Sequence, residues 1–133
     1  MDERLTAESA IRGAEFRAAL RRFLRRAERA ARSSGLTPQR YLLLLMIKGA
    51  PDGREHSTVT ELADRLQLAQ STVTELVRRA EEAGLIARAQ SSDDGRVAHL
   101  KLTDEGERRL AQAFTSNEQE RQQLRAAIAH LDR

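Results

Sequence analysis

The stretch Thr58–Thr103, TVTELADRLQLAQSTVTELVRRAEEAGLIARAQSSDDGRVAHLKLT, decides the fold. It opens on a T-x-x-E capping box, Thr58 with Glu61, which starts a short helix. Leu62, Ala63 and Leu66 give that helix one apolar stripe. A tight passage at Gln67–Gln70 leads into a second helix, from about Gln70 to Ala83. Its positions Val73, Leu76, Val77 and Ala80 recur at i, i+3, i+4 and i+7 and share an inward face. The opposite face carries Ser71, Glu75 and Arg78, flanked by Thr72, Thr74 and Arg79. Gly84 stops the helix at a left-handed position that costs a residue without Cβ little. Leu85–Ala89 and Val97–Leu102 are rich enough in apolar and β-branched residues for two short strands. The loop between them, residues 90–96, contains the Asp94-Gly95 pair that favours a hairpin turn. Helix, turn, helix and hairpin together make a winged helix-turn-helix.

The runs ELADRL, STVTELVRRAEEAGLIAR and DDGRVAHLKLTDEG resemble the MarR (multiple antibiotic resistance regulator) family of winged-helix transcription factors. The resemblance covers nearly the whole chain. It is strongest over residues 60–106, where GLI-x-R, the loop and LT-x-x-G are fairly specific. It implies a homodimer that binds a pseudo-palindromic operator in double-stranded DNA and is often released by a small effector. Occupying a promoter in this way would repress by blocking polymerase. The second helix would then lie in a major groove, with half-sites about one helical turn apart.

On that reading, Gln70, Ser71, Thr72 and Thr74 reach phosphates or base edges, and Arg78, Arg79 and Arg88 supply cations. Glu75 occupies a position frequently held by arginine in relatives; it could accept from a cytosine amino group or weaken non-specific binding. Ala69 stands where a capping Asp or Ser is common, which leaves the helix start uncapped or shifted. In the loop, Asp94 and Arg96 are what match the family's wing pattern. Arg96 would enter a minor groove, where narrow A·T segments concentrate negative potential, with Asp94 orienting its guanidinium. For effectors, the resemblance implies a crevice between the dimer helices and the head, and Phe16, Phe23, Tyr41 and Phe114 all lie outside the head.

The flanks support the head. Residues 7–32 form one long helix with an apolar stripe of Phe16, Leu20, Phe23, Leu24, Ala27 and Ala31. Arg17, Arg21, Arg25, Arg29 and Arg32 cluster on its other side, a solvated face or a source of positive potential. Thr37-Pro38 starts a second helix over 37–49, whose run Tyr41–Ile47 is apolar all round and should be buried on most sides. Thr103 caps a C-terminal helical region over 104–133. There Leu110, Phe114, Asn117, Arg121, Leu124, Ile128 and Leu131 alternate by four and three, the spacing of a narrow helix–helix seam. Asn117 and Arg121 interrupt it, marking either a break between two helices or a polar contact that sets register. The expected dimer interface joins both ends of the chain through Phe16, Leu20, Leu110, Phe114, Leu124, Ile128 and Leu131.

Size and charge fit this picture. The 133 residues suit one domain, mainly α with a small β-hairpin wing and flanking dimerisation helices. With no cysteine there is no disulfide framework, and no apolar run approaches a membrane span. A cytoplasmic protein is the simplest expectation. Net charge is +3, unevenly placed: residues 11–40 hold nine arginines against two glutamates, whereas residues 54–101 hold seven positive and eight negative groups. The near-neutral head is the best argument for a rival reading, a winged helix used for protein contact without specific DNA binding. Catalysis has little support: His56, His99 and His130 are far apart in sequence, the acid pairs sit at caps or surfaces, and no glycine-rich phosphate loop is present. Neither an enzyme nor a cofactor or metal site is expected.

Overall fold

The computed structural model describes residues 3–90 and 97–131. The expected wing tip, including Asp94 and Arg96, lies outside the described residues. The order is α1 (Ala7–Ser33), α2 (Pro38–Lys48), a 3-10 turn (Pro51–Gly53), α3 (Val59–Leu66), α4 (Gln70–Glu82), β1 (Ile86–Gln90), β2 (Ala98–Leu102), α5 (Asp104–Ser116) and α6 (Glu118–Leu131).

Helix starts follow side-chain chemistry. The hydroxyl oxygens of Thr6, Thr37 and Thr103 accept from the N–H groups of Ser9, Arg40 and Gly106 at 3.2, 3.1 and 3.1 Å. At α3 both halves of the capping box are present: Glu61 N–H donates to Thr58 Oγ1 at 3.2 Å, and Thr58 N–H donates to Glu61 Oε1 at 2.9 Å. Such reciprocal capping is worth about 1 kcal/mol. α4 alone among these starts has Ala69 at its N-cap, with no side-chain cap. The α3–α4 turn passes through Gln67 in the left-handed region, φ 57°, and Gln67 Nε2 donates to the Asp64 carbonyl at 2.6 Å.

The core sits where α2 meets the winged helix. Leu43, Leu44 and Ile47 from α2, Leu62 from α3, Val73 and Val77 from α4, and Leu85 and Leu100 from the hairpin are all fully buried. Each such leucine contributes about 2 kcal/mol by leaving water. α2 is less enclosed than its sequence suggests, because Leu42 remains 44% exposed. Its other faces meet α1, α3, α4, α5 and β2, whereas the side carrying Leu42 opens on a cavity. β1 and β2 pair antiparallel, Ile86 opposite Leu102 and Gln90 opposite Ala98. Ser57 extends this sheet by exchanging backbone hydrogen bonds of 3.1 and 2.8 Å with Leu100.

One junction joins the hairpin to α5. Thr103 N–H donates to the Leu85 carbonyl at 3.0 Å, and its hydroxyl donates to the Gly84 carbonyl at 2.6 Å while capping α5. Gly84 holds φ 76°, the left-handed stop read from the sequence. The backbones are so close here that a Cβ on Gly106 would lie 2.1 Å from the Leu85 oxygen.

The C-terminal seam breaks in two. Asn117 closes α5 as its C-cap, and its backbone turns at φ −105°, ψ 12°. Leu110, expected at a dimer interface, is only 4% exposed and belongs to the chain's own core. The heptad spacing therefore reports two different packings: Leu110 faces inward, and Leu124 lies on α1 beside Ala19 and Phe23. Phe16, Ile128 and Leu131 gather at the far end of the α1–α6 arm with Arg12 and Gly13, and Ile11, Phe16 and Ile128 are exposed there.

Gly106→Ala should lower stability despite alanine's better helix propensity. The propensity gain is about 1 kcal/mol, whereas forcing backbones apart in a packed junction costs about 3 kcal/mol. Thermal unfolding should show a midpoint roughly 10 °C lower; an unchanged midpoint would show that the Leu85 approach is not a constraint.

Candidate nucleic-acid interface

α4 presents a solvent face because Val73, Val77 and Ala80 are buried against the core. Gln70, Ser71, Thr72 and Thr74 stand exposed on its first turns, and among the described residues none has a side-chain hydrogen bond. With Ala69 giving no cap, the first N–H groups of α4 are also unclaimed by any side chain. An uncapped helix start with hydroxyls beside it is suited to anionic oxygens.

Further along α4 the cations are already matched. Arg78 donates from Nε to Glu75 Oε2 at 2.9 Å, from Nη2 to Glu75 Oε1 at 2.5 Å, and from Nη1 to Glu82 at 2.5 Å. Arg79 Nε reaches Glu75 Oε1 at 3.1 Å. On β1, Arg88 Nε reaches back to Glu81 on α4 at 2.8 Å. Glu75 thus bridges two arginines rather than standing free on the outward face. The Arg78 and Arg79 hydrogen bonds hold its carboxyl well down, at about 2, and the same carboxylate raises Arg78 above the ordinary arginine value. On α4 and β1, then, each of these arginines is matched by a glutamate. All three arginines remain at least 45% exposed as side chains, so an incoming anion can compete for them.

A second network runs from α5 to the start of α3. Lys48 Nζ lies 3.0 Å from both Glu55 and Glu107, whose hydrogen bonds raise its pKa. The adjacent Arg54 pairs with the capping Glu61. That carboxyl is held below its usual range first by the Thr58 N–H and further by Arg54.

The expected aromatic cluster is partly assembled. Phe23, Tyr41 and Phe114 line one cavity of ≈ 190 Å³ between α1, α2 and α5, with Leu24, Leu42, Asn117 and Arg121. Phe16 is not part of it: seven residues before Phe23 on one helix, it sits about 10 Å further along the axis, with Ile128 and Leu131. Arg121 covers the Phe114 ring at 3.4 Å from its centroid and donates to the Phe114 carbonyl at 2.7 Å. Burial raises the Tyr41 hydroxyl, and the Arg121 charge opposes that rise. The periodicity of the sequence does not point to Leu24, Leu42, Asn117 and Arg121 for this cavity, because residues from α1, α2, α5 and α6 must meet before it exists.

His56 and His99, distant in sequence, meet with Nδ1 atoms 3.0 Å apart and rings edge to face. They join the strand entering α3 to β2. Among the described residues no group of three or more His, Cys, Asp or Glu side chains could hold a metal ion, and no helix is long and apolar enough to cross a membrane.

Residues 34–97 match the model of the MarR family. The HTH-type transcriptional repressor MdtR of Bacillus subtilis is 37% identical over 75 residues, 55% of this chain and 44% of the relative. The organic hydroperoxide resistance transcriptional regulator of the same organism is 34% identical over 73 residues, 53% of this chain and 46% of the relative. The matched stretch therefore spans less than half the length of these curated relatives. Among solved structures, AbsC, a MarR family transcriptional regulator from Streptomyces coelicolor, superposes with a TM-score of 0.75 at 18% identity, covering 92% of this chain and 82% of that one. Sco3205, a MarR family transcriptional regulator from Streptomyces coelicolor in complex with DNA, gives a TM-score of 0.72 at 25% identity, covering 93% and 77%. The fold is a winged helix-turn-helix carried on a helical arm. Over residues 34–97, just under half of its length, the chain is similar to the MarR family, and it shares the fold of these solved regulators.

The Glu75 carboxyl should titrate near 2 instead of the ordinary 4.5, as followed by carbon-detected NMR. Because the folded value is depressed, the stabilisation from its ion pairs is complete above the ordinary range and disappears as pH falls towards 2. Arg78→Gln should return the carboxyl towards 4.5; an unmoved titration would mean that the Glu75–Arg78 pair does not form in solution.

Proposed function

We propose that this chain is a DNA-binding transcriptional regulator that acts as a homodimer on a pseudo-palindromic operator and represses by occupying the promoter. The observation that carries the reading is the solvent face of α4: Gln70, Ser71, Thr72 and Thr74, exposed and unpartnered at an uncapped helix start. A helix so arranged fits a major groove, its first turn towards base edges and phosphates. Arg78, Arg79 and Arg88 add phosphate contacts by exchanging a glutamate for a phosphate oxygen, and Arg96, oriented by Asp94, is assigned to the adjacent minor groove. The naming of MdtR as a repressor and the DNA complex of Sco3205 support the same class of function. The exposed apolar end of the arm, Ile11, Phe16 and Ile128, supports a second copy as its cover. The cavity bounded by Phe23, Tyr41 and Phe114 supports a small effector that loosens the α1–α2–α5 junction and releases DNA.

The paired charges of the head favour weak non-specific binding, and two substitutions test this against the rival role in protein contact. In a titration with the chain's own upstream DNA and with random duplex, at low and moderate salt, wild type should prefer the upstream DNA. The preference should fall roughly tenfold or more in Ser71→Ala/Thr72→Ala, each lost base-edge contact costing about 1 kcal/mol or more. Glu75→Gln, which frees Arg78 and Arg79, should tighten random-duplex binding by roughly tenfold at low salt. Absence of any preference for upstream DNA, with no response to either change, would favour the protein-contact reading.

A further inference from the structure

We propose that the arginine ladder along α1 is a second nucleic-acid surface, one that grips the phosphate backbone of a separate duplex without reading its sequence. Its setting rests on the DNA-binding reading above, while its evidence is independent of α4. Arg17, Arg21, Arg25, Arg29 and Arg32 line one shallow groove of ≈ 490 Å³ with Leu20, Leu24 and Glu28. All five arginines are exposed, and among the described residues none of their side chains has a hydrogen-bond or ion-pair partner. In the head and on α5, by contrast, Arg54, Arg78, Arg79, Arg88, Arg108 and Arg109 each rest on a glutamate. Within the groove, Glu28 is the one acid facing five cations.

Like charges four residues apart on a helix repel and destabilise it, so the ladder is a cost to the free chain that an anionic partner removes. Its geometry indicates which partner. Successive guanidiniums climb about 6 Å per step over roughly 22 Å of helix, a repeating line of cations that fits a continuous phosphate backbone. The apolar floor is limited to Leu20 and Leu24, too little to seat an amphipathic partner helix. A second copy offers the same basic face. The ladder also lies away from α6, which sits over Ala19, Arg22, Phe23 and Arg26. α1 packs on α2, α5 and α6, and α2 intervenes between it and α4. The ladder and the α4 face are therefore carried by helices that do not pack on each other, and the ladder is assigned a duplex of its own.

The test is capture of a second duplex. Upstream DNA, and in parallel random DNA, is immobilised, saturated with full-length protein and offered a labelled random duplex. Wild type should capture it. The triple variant Arg21→Gln/Arg25→Gln/Arg29→Gln should capture at least tenfold less, and its slope of log K against log salt for random duplex should be smaller by roughly 2.7, about 0.9 per phosphate contact. Its preference for upstream over random DNA should be unchanged. The matching Arg→Lys triple, which keeps the charge, should capture as wild type does. No capture by wild type, equal capture by the Gln triple, or failure of the Lys triple would overturn the inference. So would poly-glutamate peptide binding the ladder more tightly than duplex. Ladder-dependent capture by a protein with no preference for upstream DNA would sustain this inference while removing the operator reading.

Discussion

At the start of α5 two backbones approach so closely that Gly106 has no room for a Cβ beside the Leu85 oxygen. Thr103 closes the same junction, donating its N–H to Leu85 and its hydroxyl to Gly84 while capping α5. The end of α4, the first strand of the hairpin and the first turn of the helical arm are thus fixed to one another through main-chain atoms. Main-chain contact is stiffer than packing between flexible side chains. The position of the α4 face relative to the arm follows from it, and so does the orientation of any dimer assembled through the arm.

The charge arrangement separates two roles within one chain. The head spends its cations internally: Glu75 takes Arg78 and Arg79, Glu82 takes Arg78, and Glu81 takes Arg88. Exposed pairs of this kind contribute little to stability, but they lower the free positive potential that draws a protein to any polyanion. On the proposed function, a head built in this way leaves discrimination to the hydroxyl and amide groups at the start of α4. The densest unmatched field is on α1, and it comes from spacing as much as from number, since the arginines recur on one face with almost no acid between them.

The ion pairs from Lys48 to Glu55 and Glu107, and from Arg54 to the capping Glu61, add a polar link between arm and head. They lie beside the apolar surface shared by Leu45, Leu110 and Phe114. Through these exposed pairs, α5 and the end of α2 adjoin the loop that carries Arg54 and the first turn of α3. Phe114 also lines the aromatic cavity.

Local rules in the sequence determined most of the fold. The Thr58–Glu61 box, Thr37-Pro38, Gly84 and Thr103 each act within four residues, and each element begins or ends where its own chemistry requires. The α4 face was legible for the same reason: a 3.6-residue period assigns inward and outward positions without knowledge of neighbours. The pairing of Glu75 with Arg78, Arg79 and, through Arg78, Glu82 was also within reach of the i+3 and i+4 spacing, although Glu75 had been read as facing outward alone. Contacts between distant segments were not legible. Leu110 and Leu124 share one heptad pattern, yet one fills the core and the other covers α1, because a period reports a stripe and not what lies against it. The cavity that gathers Phe23, Tyr41 and Phe114 but excludes Phe16, the meeting of His56 with His99, and the approach of Gly106 to Leu85 all depend on chain closure over tens of residues. Sequence by itself determined the elements, their caps and their faces, since those are local energies; only the tertiary structure decided which faces meet, because that choice is made by packing the whole chain at once.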